Sequence, residues 1–299
     1  MPIWIPITLV AAAVQTLRFM LQKGLKGAGL STGGATFSRF LFGAPLAIAT
    51  TLATLAITGA GVPLPGPRFW AFAVAGGAAQ VCATYMTVAL FSLRNFAVGI
   101  AFTKTETVQV ALFSAVLLGE SVSAAGAAAI AVGLAGVLML SKAPKDGLSG
   151  GLWSRATAYG VLAGGLFGLS AIGYRGASLQ LEPAPYFLRA VTTLACVTTV
   201  QSLGMAAWLR WRERGELTRV VRAWRKTIWV GVTGMLGSLG WFTAFALQNA
   251  AYVRTLGQVE IVFTLIVSAT VFRERLSRRE YGGIALVVAS VLMLVVLLG

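Results

Sequence analysis

Apolar stretches of about twenty residues recur along the whole chain, each closed by a short polar break. The stretches cover 3–22, 33–58, 69–92, 96–118, 122–140, 156–178, 184–209, 228–247, 253–272 and 280–298. About 20 mainly apolar residues are needed for a helix to cross a hydrocarbon layer of roughly 30 Å. The pattern therefore predicts an all-α membrane protein of ten transmembrane helices, with the lipid bilayer as its surroundings. No basic segment precedes the first stretch. It ends at Gln22-Lys23 without a small-residue cleavage site, which predicts a retained helix rather than a signal peptide.

Composition agrees with this reading. With 57% apolar and 11% charged residues, the chain lacks the polar side chains to cover a water-facing surface. A net charge of +15 would point to nucleic acid in a soluble protein, but here Lys and Arg gather at the ends of apolar stretches. They read as orientation signals, and no nucleic-acid partner is expected. Without any His, Ser-His and Cys-His catalysis, the HExxH zinc motif and ordinary haem ligation all drop out. An enzyme is not expected, nor a metal or other cofactor. Cys82 and Cys196 lie inside predicted helices and read as small buried apolar residues.

The chain also repeats itself. TKTETVQVALFSAVLLGESVS at 103–123 is echoed by GQVEIVFTLIVSATVFRERLS at 257–277, so Glu106 pairs with Glu260, Glu120 with Glu274 and Ser123 with Ser277 at one offset of 154. VLML at 137–140 recurs at 291–294. Two acids fourteen residues apart are improbable twice over in a chain with nine acids. Upstream, Arg39 corresponds to Arg189. The expected domains are thus a first five-helix repeat over 1–145 and a second over 146–299. Since five is odd, the second copy enters the membrane in the opposite sense to the first, which makes the repeats inverted. Lys and Arg counts agree: the odd-numbered connections hold Lys23, Lys26, Arg94, Lys142, Lys145, Arg155, a dense group from Arg210 to Lys226, and Arg273 to Arg279. The even connections hold Arg68, Arg175 and Arg254. The positive-inside rule then puts both termini on the outer side. The segment 210–226, with Trp211 and Trp224 among its basic residues, reads as a piece lying at the lipid headgroups.

These features resemble the drug/metabolite transporter superfamily in its ten-helix EamA-type branch, where each five-helix repeat ends in a "gE(r)ls"-like turn before its last helix. Here the turns are Gly119-Glu120-Ser121-Val122-Ser123 and Arg273-Glu274-Arg275-Leu276-Ser277. The resemblance spans the whole chain and extends to YddG-type exporters of aromatic amino acids. It implies a small-molecule substrate and alternating access around a central cavity. Family members often carry Pro just after the acid of helices 4 and 9, whereas this chain has Thr107 and Ile261, so a kink there needs another cause.

Ionisable residues inside the apolar spans are the candidate chemistry, because each costs roughly 2.5–3.5 kcal/mol at mid-membrane unless partnered. They are Arg18, Arg39, Lys104, Glu106, Arg189 and Glu260. Lys104 and Glu106 are two residues apart, too far around a regular helix to pair, so each needs another helix. Arg39 and Arg189 lie near enough to helix ends to snorkel or to meet substrate. Thr103, Glu106 and Gln109 share a face and form one wall of a polar cavity, with Gln258 at the repeat position of Lys104. Gln80, Tyr85, Trp241 and Phe242 add amides and aromatic faces suited to an amphipathic solute. The expected substrate-binding set is Gln80, Tyr85, Thr103, Lys104, Glu106, Gln109, Trp241, Phe242, Gln258 and Glu260. Glu260, with no cation close in sequence, is the candidate proton carrier if transport is proton-coupled, and Glu106 the anchor for a substrate amine. The function expected is export of amino acids, aromatic or otherwise amphipathic, or related metabolites across a bacterial inner membrane. The rivals are import by the same fold and a lipid-handling or structural membrane protein.

Overall fold

The computed structural model describes residues 2–27, 29–91, 103, 106–141, 155–271, 273 and 278–298. Among these residues the secondary structure is helical throughout, without strands. The first three helices are α1 (Trp4–Gly27), α2 (Thr32–Thr58) and α3 (Pro67–Leu90). After them come α4 (Glu106–Leu118), α5 (Ala124–Ser141), α6 (Arg155–Leu179) and α7 (Tyr186–Arg212). A short α8 (Glu216–Arg222) precedes α9 (Trp224–Leu247), and α10 (Ala250–Leu256) is joined to α11 (Glu260–Thr270) by a 3-10 turn over Gly257–Val259. The last is α12 (Arg278–Leu298).

Among the described residues, six segments are long and apolar enough to cross a membrane: Trp4–Leu25, Thr32–Thr58, Pro67–Leu90, Tyr186–Arg212, Trp224–Leu247 and Ala250–Val267. Gln109–Leu118, Ala124–Gly136 and Tyr281–Met293 are shorter apolar helices. Residues 96–102 of the fourth expected span, 96–118, lie outside the described residues, as does the turn 274–277 with Glu274 and Ser277.

Local chemistry sets the helix boundaries. Ser31 caps α2 by accepting from the Gly34 amide at 2.9 Å, and Asn249 caps α10 by accepting from Ala251 at 2.8 Å. Pro67 opens α3 at a position where no amide is needed, and Gly59 ends α2 with φ 63°. Inside the helices, Thr8, Thr16, Thr87 and Thr198 return their hydroxyls to carbonyls four residues back, which satisfies them where water is absent.

Packing joins the two halves of the chain everywhere. α1 packs on α9 and on α11, while α6 packs on α3 and on α4. α2 meets α9 as α7 meets α3, and α2 also meets α7, as α5 meets α12. Exchanging α1 to α5 for α6, α7, α9, α10–α11 and α12 turns these pairings into one another. Directions follow from the contacts. The carboxyl end of α6 lies beside that of α9, because Arg175 Nη1 donates to the Phe245 carbonyl at 2.6 Å. The amino half of α1 lies along the carboxyl half of α9, where Ala11 faces Gly240. Thus α1 starts at the end of the bundle where α6 finishes.

Small residues make these crossings close. A Cβ at Gly234 would sit 2.9 Å from Arg39 Cγ and 3.3 Å from Arg18 Cδ, and one at Gly76 would sit 3.0 Å from Gly173 Cα. Two expectations need correction. Neither cysteine is buried: Cys82 on α3 is exposed in the lining of a cavity against α7, and Cys196 is half-buried. The 210–226 segment does expose Trp211 and Trp224, but it also fastens the bundle: Glu216 is buried and accepts from the Ser31 amide at 2.7 Å, while Glu213 accepts from the Ser31 hydroxyl.

Candidate functional site

Five ionisable side chains are buried together in the bundle. Arg18 comes from α1, Arg39 from α2, Glu106 from α4, Arg254 from α10 and Glu260 from α11, and none is more than 5% exposed. One face of α9 supports the three guanidiniums. The stems of Arg18 and Arg39 pass over Gly234, and Arg39 donates to Ser238 at 2.9 Å and to Thr84 at 3.2 Å. Two turns along, Arg254 lies 4.8 Å from the Trp241 ring and 5.4 Å from that of Phe245. Arg18 donates to Gln22 at 2.6 Å and stacks 4.0 Å over Phe19.

Helix 9 of the sequence expectation is broken at this place. α10 gives way to the 3-10 turn Gly257–Val259, and Glu260 begins α11. Such a turn within a membrane helix is tolerated where it lines a polar interior, and it re-aims the flanking side chains. No proline is involved. The Trp241 indole lies against Gly257 so closely that a Cβ there would overlap it.

The sequence-predicted residues fall into three groups. In the first, Glu106, Trp241, Gln258 and Glu260 are buried around the break. Glu106 is 3.5 Å from Arg254, and Gln258 donates to the Thr107 hydroxyl at 2.8 Å. Thr103 is also buried. In the second group, Phe242 stacks on Tyr174 at 4.2 Å, and Gln80 accepts from Gln201 at 3.0 Å. Gln201 also reaches Tyr174, at 3.2 Å. Tyr85 lies further out with its ring against Trp208, on a cavity of about 520 Å³ between α3 and α7. That cavity is lined mostly by apolar side chains and is separated from the charged centre by Gln201, Tyr174 and Phe242. The third group is Lys104, which lies outside the described residues.

Two details differ from expectation. Gln109 does not share the wall of Glu106, because its amide packs on Gly165 of α6 whereas Glu106 turns to α10. Glu260 is not remote from cations: Gln15 donates to it at 3.0 Å, and Arg18 stands within electrostatic range. The contrast drawn between the two acids thus loses its premise. Sequence reasoning placed Arg254 among helix-end signals, yet it is 5% exposed and one turn inside α10. Gln15, Gln22, Tyr174 and Gln201 were missed as well. Gln15, Arg18 and Gln22 recur at intervals of three and four along the first span, a helical-face signal that was available.

Side-chain clasps close the bundle on either side of this centre. At one end Glu120, in the turn after α4, takes two bonds from Arg175 at 2.6 and 2.7 Å, and Tyr252 accepts from the Ser123 amide at 3.0 Å. Arg189 pairs there with Glu182 at 2.5 Å and reaches the Ala246 carbonyl at 3.4 Å, so it is an end-of-helix tie. At the other end Glu213 and Glu216 hold the start of α2.

Comparison with known proteins gives this geometry its context. Residues 155–296 match the EamA-like transporter family. The match covers α6 to α12 and supports the drug/metabolite transporter superfamily. The family is one of multi-pass membrane transporters of small solutes. The EamA-like part thus contributes Arg254, Gln258, Glu260, Trp241 and Phe242 to the centre, while Arg18, Arg39 and Glu106 come from the residues before it. A solved structure, described as "Crystal structure of protein", is similar over 98% of this chain and 97% of its own, with a TM-score of 0.70 at 16% identity. At that identity the likeness shows the fold. No curated protein matches the chain.

The Glu106–Arg254 pair supplies a stability test. Removing one partner of a buried pair leaves an uncompensated charge that costs about 3–5 kcal/mol. Glu106→Gln and Arg254→Gln should each lower the melting temperature of the detergent-purified protein, and the double variant should recover much of the loss. Additive losses in the double variant would mean that the two groups do not depend on each other.

Proposed function

We propose that this chain exports small organic solutes, amino acids or related amphipathic metabolites, by alternating access between two inverted five-helix repeats. The observation that carries the reading is the broken helix α10–α11. It puts Glu260, Gln258 and Arg254 beside buried groups from α1, α2 and α4, at the meeting of the two halves. Transporters of this kind hold solute at such an interface, on interrupted helices. Three features support the inverted repeat over 1–145 and 146–299: the Glu106/Glu260 register, the helix pairings that survive exchange of the halves, and the opposite directions of α1 and α6. Ten spans is the count that two five-helix repeats require.

In this reading the two clasps alternate. The Glu120–Arg175 tie releases while the Ser31–Glu213–Glu216 tie holds, and then the reverse. The solute contacts are Thr103, Lys104, Glu106, Gln258, Glu260 and Trp241, with Gln80, Tyr85, Gln109 and Phe242 forming the route and its walls. Proton coupling remains part of the proposal through Glu260, whose neighbours are Gln15 and Arg18.

The test is flux. Purified protein in liposomes should exchange labelled amino acids, and cells carrying the gene should release more of them than cells without it. Flux across a range of pH, repeated with Glu260→Gln, reads the coupling: a lost pH dependence supports it and an unchanged profile rejects it. No exchange by any amino acid tried would reject amino-acid transport, and net uptake by cells would favour the importer.

Orientation is proposed from the basic residues, which crowd the end holding Lys23 and the stretch from Arg210 to Lys226. That end faces the cytoplasm of a bacterial cell, and both termini face the periplasm. Alkaline phosphatase fused after Gly299 should be active; strong fluorescence from green fluorescent protein fused there would contradict the assignment.

A further inference from the structure

We infer that the buried guanidiniums of Arg18 and Arg39, with Arg254 beside them, form a site for the carboxylate of the solute. The inference rests on the transport reading and names the chemistry its central site selects. Counting the described ionised groups at the centre, three guanidiniums face two carboxylates, which leaves one positive charge in excess. The imbalance is local. Arg254 has Glu106 at 3.5 Å, while Arg18 donates to the neutral Gln22, and Arg39 to the neutral Thr84 and Ser238. Arg18 is 2% exposed, yet among the described residues its Nη2 has no hydrogen-bond partner, and neither has the Nε of Arg254.

Buried guanidinium donors left open are costly in a protein interior, and more so in a membrane. Arg18 and Arg39 cross the same glycine on α9, so their charges repel one another across a short gap. A single carboxylate arriving there would accept from Arg18, neutralise the excess charge and relieve that repulsion. Its planar pair of oxygens suits a guanidinium fork. The rest of the solute would then lie along Trp241 and Phe245, whose rings stack at 6.0 Å on the same side of α9. Trp241 Nε1 is likewise buried without a partner and offers a further donor. The amine of an amino acid, if present, would face Glu106 or Glu260. Recognition therefore depends on the acid group first, and aromatic carboxylates without an amine should bind too.

Matched acid and amide probes separate this from general hydrophobic binding. Thermal unfolding of the purified protein would be followed with 3-phenylpropionate and L-phenylalanine, and with 3-phenylpropionamide and L-phenylalaninamide. At least one acid should raise the melting temperature in a saturable way while its amide does not. Arg39→Gln should weaken that binding by about tenfold or more, and Arg39→Lys by less. Amides that stabilise as well as the acids, or a lack of stabilisation by either acid, would overturn the inference. Should Arg39→Gln fail to fold, the acid–amide comparison on the unaltered protein decides alone. Flux keeps the two readings apart: acid binding without flux sustains the carboxylate site and defeats transport, whereas flux of amides without acid selectivity does the reverse.

Discussion

Charge inside a lipid-embedded bundle governs this structure. Each of Arg18, Arg39, Glu106, Arg254 and Glu260 is almost wholly buried, and a lone charge at that depth costs several kcal/mol. Helix packing in lipid has no hydrophobic driving force to offset such a cost, so compensation must come from neighbouring side chains. The five groups come from five different helices. Holding them together therefore fixes how α1, α2, α4, α9, α10 and α11 are arranged, and a helix displaced from the cluster would leave a charge behind.

The small residues of α9 serve that arrangement. Gly234 and Ser238 leave room for two arginine stems between α9 and its neighbours, and Trp241 and Phe245 give Arg254 an aromatic bed. The break at Gly257–Val259 has a similar logic. It lies where Trp241 packs on Gly257, between Arg254 and Glu260. The clasps at the two ends differ from each other. Glu120–Arg175 and Glu182–Arg189, at one end, keep some exposure, with Glu182 at 58%, so separating them costs less than opening the centre. At the other end Glu216, which holds Ser31, is buried.

Much of the fold was legible in the apolar periodicity, because a membrane helix must be apolar along its whole length and leaves a long, clear signal. Nine of the expected spans correspond to described helices with ends within a few residues, the exceptions in form being the break in the ninth and the part of the fourth that lies outside the described residues. The central acids were legible for the same reason, since an acid in an apolar run stands out. Partners were not. Arg254 stands at the start of an apolar span and looked like an end-of-helix charge, and its contact with Trp241 on another helix is visible only in the packing. Gln201 and Tyr174 read as ordinary span residues, and only packing reveals that they divide the α3–α7 cavity from the centre. Gln109 failed by the opposite error: helical spacing placed it with Glu106, but α6 approaches at Gly165 and takes the amide away.

The central claim is that the end closed by Glu120 and Arg175 opens and closes as part of one cycle. Distances between spin labels at Ser121 and Gln180, after Cys82 and Cys196 are replaced by Ser, measure it directly in liposomes. Both positions are exposed and lie on either side of the clasp. The account expects two distance populations, with Glu120→Ala shifting weight to the longer one. A single distance, unchanged by that substitution and by any transported solute, would contradict it.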